Sequence, residues 1–260
     1  MPGDTLLRAS DVSRRFGGLT AVDGVSIALV RGEVHALIGT NGAGKSTLVN
    51  VLSGEIPTSG GRVHLHGRDV THWPQPRRAR AGIGRSYQRT TIFPHATAFE
   101  NCRLAAQAHF QHPLDLWTKA QRCPRSRAQA EQAIEQAGLA AQAQRIAGTL
   151  SHGQKRQLEI AMCLATAPTV LLLDEPLAGI GPEETERMLA LLGGLKRGRA
   201  VLLVEHDMDA VFRIADRITV MVNGAVIASA EPDAIRGNAA VQAAYLGESV
   251  EAKAALPVDA

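Results

Sequence analysis

The nine residues "GTNGAGKST", from Gly39 to Thr47, constrain this chain more than any other stretch. They follow "VHALIG", a short and nearly continuous apolar run of strand character. They lead into "KSTLVNVLSG", a helix with Leu48, Val49, Val51 and Leu52 facing inward and Gly54 at its end. Strand, glycine-rich turn and helix in that order carry the pattern G-x-x-x-x-G-K-[ST], here Gly39, Gly44, Lys45 and Ser46. Through Gly39, Thr40, Asn41, Gly42, Ala43 and Gly44 the backbone can curl so that its N–H groups converge. The helix start at Lys45, Ser46 and Thr47 adds partial positive charge. Such a concavity suits phosphate oxygens, with Lys45 reaching the terminal phosphates and the Ser46 hydroxyl a ligand for Mg2+. A chance match in this length is expected in fewer than about one sequence in a hundred, so a bare glycine turn is the weaker reading.

Two further apolar runs end in polar residues. "VLLLDE" closes with Asp174, the expected Mg2+ partner beside a phosphate loop, and Glu175, placed to polarise an attacking water. An acidic helix cap is the plainer alternative. "AVLLVE" runs up to His206, which could hydrogen-bond a γ-phosphate and align the water, or serve as a polar loop residue. Between them a helix is expected over 182–197, with Pro182 in its first turn, Glu183, Glu184 and Glu186 near its positive end and Lys196 and Arg197 near the other. "MDAVFRIAD" and "ITVMV" continue the alternation, which implies a mostly parallel, doubly wound sheet. Val25, Ile27 and Leu29, and then "GRVHLHG", alternate with period two and predict an antiparallel edge. Residues 100–166, rich in Ala, Gln, Leu and Arg, carry no strand signal and read as helices. The expected organisation is one α/β domain over 1–260, its core formed by 1–88 and 168–247, with a helical insertion at 89–167 and a tail at 248–260.

Composition narrows the classes. The net charge of +3 is mild, and the clusters Arg77, Arg78, Arg80 and Arg122, Arg125, Arg127 read as solvated faces, since no aromatic residues interleave them. Aromatics make up 3% of the chain, which argues against a single-strand nucleic-acid binder. Cys102, Cys123 and Cys163 are odd in number and lack metal-binding spacing, as suits a reducing cytosol. The opening "MPGDTLLRASD" has no apolar core of a secretory leader, and no run approaches the roughly 20 apolar residues that cross a bilayer.

A phosphate loop alone leaves kinases, GTPases and helicases open. Together with "VLLLDE", His206 after a strand, and "LSHGQ" at Leu150–Gln154 ahead of a helix, it resembles the ATP-binding subunit of an ABC transporter across residues 6–247. That resemblance implies a P-loop ABC ATPase fold with a mostly parallel core sheet, an antiparallel β edge subdomain and an inserted helical subdomain. It implies ATP and Mg2+ as cofactors, and two cassettes paired head to tail as a homodimer or a heterodimer with a second ABC ATPase. Ser151, Gly153 and Gln154 of one copy would then close over the nucleotide of the other. Gln88, in "GRSYQRT", matches the glutamine that touches Mg2+ or water, and Phe16, in "VSRRFGG", the aromatic that stacks on adenine. His152 stands where the family norm is glycine, and Gly181 where many relatives have aspartate in the loop that crosses the dimer.

"RFGGLTAVDGVS", "LSHGQKRQLEIAM", "DEPLAGIGPEET", "LLVEHDM" and "AAYLGE" look like the ATPases of importers for branched-chain and other hydrophobic amino acids. Urea or short-amide importers and a lipopolysaccharide-export ATPase are similar enough to stay open. The resemblance implies two transmembrane permease subunits, an extracytoplasmic substrate-binding protein, no nucleic acid, and a peripheral place on the cytoplasmic face of the inner membrane. A soluble ABC ATPase of DNA maintenance or translation, and a cassette that binds ATP without hydrolysing it, are the rivals.

Overall fold

A computed structural model describes residues 4–87, 91–110 and 123–244. The long apolar runs become the centre of a six-stranded sheet in the order β10-β9-β3-β8-β7-β6. Its members are β3 (Val34–Gly39), β6 (Ile83–Arg85), β7 (Val170–Asp174), β8 (Ala200–Val204), β9 (Arg217–Val222) and β10 (Ala225–Ala230). All neighbours run parallel except β9 and β10. β7 and β8 are buried along their whole length because both faces are covered. Leu171, Leu173, Val201 and Leu203 pack on the helical side, while Val170, Leu172, Ala200, Leu202 and Val204 pack against the core shared with the second sheet.

That second sheet is antiparallel, as the period-two signal predicts, in the order β2-β1-β4-β5. It comprises β1 (Thr5–Phe16), β2 (Leu19–Val30), β4 (Gly60–Leu65) and β5 (Arg68–Asp69). Val25, Ile27 and Leu29 point into a core with α1 (Lys45–Ser53), whose Leu48, Val49, Val51 and Leu52 are fully buried. Gly54 ends α1 in the left-handed conformation, the ordinary glycine stop.

The helical layer holds α3 (Ala98–Phe110), α4 (Pro124–Gln136) and α5 (His152–Ala165), joined to the sheet through one apolar cluster with α6 (Pro182–Leu195). α6 starts at Pro182 as expected and stops two residues short of the expected 197, with Lys196 as its C-cap. α7 (Met208–Ile214) and α8 (Pro232–Arg236) cover the remaining face. Among the described residues no helix is long and apolar enough to cross a membrane. The fold class expected from the sequence is the one observed.

One arginine cluster is not the solvated face it was expected to be. Arg78, on α2 (Gln75–Arg80), is 2% exposed. Its guanidinium donates to the carbonyls of Val51 and Leu52 at 2.8 Å each, to Thr71 O at 2.9 Å and to Trp73 O at 3.1 Å. A cation thus closes the carbonyl end of the helix that begins at the phosphate loop. Burial lowers the Arg78 pKa to about 10, with the charge of Asp69 opposing the shift. Arg77 stacks on Trp73 at 3.8 Å. In the second cluster Arg125 and Arg127 lie over Phe110 and Phe99, and Arg122 falls outside the described residues.

Candidate functional site

The carboxyl ends of β3, β8 and β7 lie side by side, and each is followed by one of the sequence-predicted site groups. From β3 comes the loop Gly39–Gly44. A Cβ on Gly39, at φ +151°, would stand 2.1 Å from the Met221 carbonyl oxygen, and one on Gly44, at φ +94°, 2.2 Å from that of Ala21. Both positions therefore demand glycine for space as well as for torsion. Lys45 folds back to donate to Gly39 O at 2.6 Å and Thr40 O at 2.8 Å, placing its ammonium at the loop. The N-cap of α1 is Gly44, which brings no side-chain acceptor to the first turn.

The loop opens on a cleft of about 580 Å³ lined by Asn41, Gly42, Ala43, Gly44, Lys45, Ser46 and Thr47. Phe16, Leu19, Thr20 and Ala21 from the β1–β2 hairpin form one wall, with Glu175, Asn223 and Gly224 completing it. Phe16 is 45% exposed, and the Arg14 guanidinium lies 4.5 Å from its ring centroid. A flat exposed ring, a glycine cradle and a lysine fit a nucleotide triphosphate in size and charge.

From β7 come two adjacent acids. Asp174 is buried and donates its amide to Ser86 Oγ at 3.2 Å. Burial, then the charge of Glu175, raises its carboxyl above the usual range, while Arg85 and Lys45 oppose the shift. Glu175 sits at φ +47°, a left-handed conformation that strains a residue with a Cβ. Its amide donates to Val204 O at 2.9 Å, and its side chain reaches the cleft that Asp174 does not line. The change of backbone conformation between them sends the two carboxylates to different surroundings.

From β8 comes His206, its side chain 67% exposed, with Nδ1 at 3.9 Å from Glu175 Oε1. The same nitrogen is 3.9 Å from Glu205 Oε2. The sequence assigns Glu205 no role, although an acid at the end of so apolar a strand is a visible anomaly. It is buried, accepts the Leu177 amide at 2.8 Å and the His206 amide at 3.2 Å, and has its carboxyl pushed up by burial against those two donors.

"LSHGQ" lies elsewhere, and none of its residues lines the cleft. Ser151 caps α5 in a reciprocal box: its Oγ accepts the Gln154 amide at 3.2 Å, and Gln154 Oε1 accepts the Ser151 amide at 3.1 Å. Ser151 Oγ also donates to Glu184 Oε1 at 2.7 Å. A Cβ on Gly153 would meet the Glu184 carboxyl carbon at 2.4 Å, so the same carboxylate covers both residues. The His152 ring lies against Gly179, in the loop after Glu175. Gln88 falls outside the described residues. Its neighbours Tyr87 and Thr91 border a second groove, of about 260 Å³, with Arg85, Glu159 and Cys163.

Residues 22–178 match the family model described as "ABC transporter", and residues 225–251 the one described as "Branched-chain amino acid ATP-binding cassette transporter". The chain is 40% identical over 253 residues to the high-affinity branched-chain amino acid transport ATP-binding protein BraF of Pseudomonas aeruginosa, covering 94% of this chain and 98% of that one. It is equally similar, at 40% and the same coverage, to LivG of Salmonella typhimurium, which bears the same description. Among solved structures, the ADP conformation of an ATP-binding cassette of an ABC transporter superposes with a TM-score of 0.82 at 32% identity, covering 94% of this chain and 99% of that one.

Proposed function

Because this chain belongs to the ABC transporter ATP-binding family, we propose that it is the ATP-hydrolysing subunit of an importer for branched-chain or other hydrophobic amino acids. The observation that carries the reading is the cleft that the phosphate loop shares with Glu175, whose Oε1 lies 3.9 Å from Nδ1 of His206. The match at residues 225–251 favours branched-chain amino acids over urea, short amides or lipopolysaccharide as cargo.

Adenine stacks on Phe16 and the triphosphate enters the loop from Gly39 to Thr47, where Lys45 exchanges the Gly39 and Thr40 carbonyls for phosphate oxygens. Ser46, Asp174 and Gln88 would hold Mg2+, an ion that keeps most of its waters and needs few protein oxygens. When bound, it neutralises charge on the phosphates. Glu175 accepts a proton as water forms its bond to the γ-phosphorus; the bond from that phosphorus to the bridging oxygen breaks, giving ADP and phosphate. His206 steadies the γ-phosphate and aligns the water. Ser151, Gly153 and Gln154 come from a second cassette, a like copy or a related partner, and bring the N-terminus of α5 to the same phosphate.

Closure of two cassettes around two ATP molecules, and reopening after hydrolysis, would shift the insertion at 89–167 against the core formed by 1–88 and 168–247. The groove beside Tyr87 and Thr91 is the place where each of two transmembrane permeases docks. An extracytoplasmic binding protein supplies the cargo, and the cassette works at the cytoplasmic membrane face.

The test is Mg-ATP turnover and co-purification. Wild type should hydrolyse ATP, Glu175→Gln should bind without turnover, and the protein should be recovered from membranes with permeases. Turnover surviving in Glu175→Gln, or recovery with ribosomes or DNA, would overturn the reading.

A further inference from the structure

Glu205 has no part in the chemistry above, yet it is the more deeply buried of two strand-end acids beside the cleft, at 1% exposure against 5% for Asp174. Its two oxygens are shared between two loops. Oε1 accepts the amide of Leu177 and Oε2 the amide of His206. Leu177 opens the loop that carries Gly179, and Gly179 packs against His152 of the LSHGQ stretch. The Leu177 side chain is itself buried in the cluster that joins sheet to helical layer. A single carboxylate therefore connects the histidine at the chain's own cleft with the loop that borders its LSHGQ peptide.

We infer that Glu205 is a positioning residue for ATP hydrolysis: its carboxylate fastens the His206 backbone to the loop after Glu175, so that the γ-phosphate-sensing histidine and the dimer-crossing loop move as one body. The inference rests on the roles given to Glu175 and His206 above. Each amide has its own oxygen, and an ionised carboxylate offers both as acceptors with no proton to place between the two loops. Glutamine has nearly the same volume but turns an –NH2 toward one of the two amides. Glu205→Gln therefore releases one loop while the apolar packing stays as it is. Gly181 has open space around it and adds no side chain to fix this loop, so an anchor at Leu177 carries more of the alignment.

The experiment compares steady-state ATP hydrolysis and ATP affinity in the full chain, assembled with its partners, for wild type, Glu205→Gln, His206→Ala and the double variant. Glu205→Gln should lower kcat by about 10- to 100-fold with KM changed less than about threefold, since misplacement by about an ångström costs that much. The double variant should be little slower than the slower single variant, because both changes remove one alignment. Unchanged turnover in Glu205→Gln, or losses that multiply in the double variant, would overturn the inference. The unaltered protein gives an answer should Glu205→Gln fail to fold. Hydrogen exchange should show the Leu177 and His206 amides protected to within about threefold of each other and slowing together on nucleotide binding; divergent protection would overturn it. Failure of the functional reading looks different, as hydrolysis that survives Glu175→Gln, and does not bear on the pairing of those amides.

Discussion

The Ser151 hydroxyl donates to Glu184 Oε1 at 2.7 Å, and the same carboxylate stands over Gly153. A negative charge from α6 thus rests on the N-terminal turn of α5, where an anion is favoured. It occupies the two residues proposed to meet the γ-phosphate held by a partner cassette. Phosphate and carboxylate repel, so Glu184 must swing aside before the two copies close. Glu184→Ala in a Glu175→Gln background should lower the protein concentration for half-maximal ATP-driven dimerisation by about threefold, the scale of a partly exposed charge contact. Sedimentation velocity with Mg-ATP checks this; weaker dimerisation in the variant would mean that Glu184 helps closure instead.

The phosphate loop makes a sharper comparison possible between two of its glycines. Gly39→Ala drives a Cβ to 2.1 Å from Met221 O, against backbone of the neighbouring strand that cannot yield cheaply. Gly42 has φ +78° but open space around it. Gly39→Ala should cost about 3 kcal/mol or more in urea unfolding, while Gly42→Ala should cost about 1–2 kcal/mol from torsion alone. Equal losses would show that torsion, and not the clash, dominates at Gly39.

Arg78 supports the far end of the phosphate-loop helix. Removing its guanidinium takes the donor from the carbonyls of Leu52, Thr71 and Trp73, while that of Val51 keeps the Gly54 amide. Arg78→Met keeps the apolar stem and should still destabilise the chain by about 3 kcal/mol or more, read by thermal or urea unfolding. By contrast Arg77→Met, on the same helix but stacked on the Trp73 ring, should cost about 1 kcal/mol or less. Similar losses for the two would argue that α2 is held by stacking and not by the carbonyl cage.

What the sequence disclosed follows from how far each signal reaches. β3, β7 and β8 are legible because burial on both faces writes an unbroken apolar run, and α1 and α6 because a glycine stop or a proline start marks them. β1 is obscured by irregular register near Asp11, at φ +49°, which breaks its alternation. β6 is three residues long with a glycine at its centre, too short for any period. Arg78 and Glu205 leave no trace in the sequence for one reason: their partners are backbone groups up to 28 residues away, and no local pattern records them. Of the residues that line the cleft, Phe16, Asn41 to Thr47 and Glu175 stand in recognisable motifs, whereas Leu19, Thr20, Ala21, Asn223 and Gly224 lie in turns that carry none. The Ser151–Glu184 contact spans 33 residues and is not legible.

His35 gives the pH dependence. It is buried on β3, its Nδ1 3.2 Å from Ala28 O and its Nε2 2.7 Å from Thr219 Oγ1, which in turn lies 2.8 Å from Ser229 Oγ. A neutral ring that donates from Nδ1 and accepts at Nε2 satisfies both contacts. Burial, the largest cause, lowers its pKa from 6.5 to about 4, with the Arg217 charge adding to the fall and the Ala28 bond opposing it. A folded pKa below the unfolded one means that the unfolded chain takes up the proton first. The stabilisation is complete above pH 6.5 and shrinks as pH falls toward about 4. By pH 5 the loss from this one group is about 2 kcal/mol. Urea unfolding at pH 7.5 and pH 5 should show that difference in the wild type and a markedly smaller one in His35→Gln, which cannot titrate. An equal pH dependence in both proteins would show that other groups govern acid sensitivity.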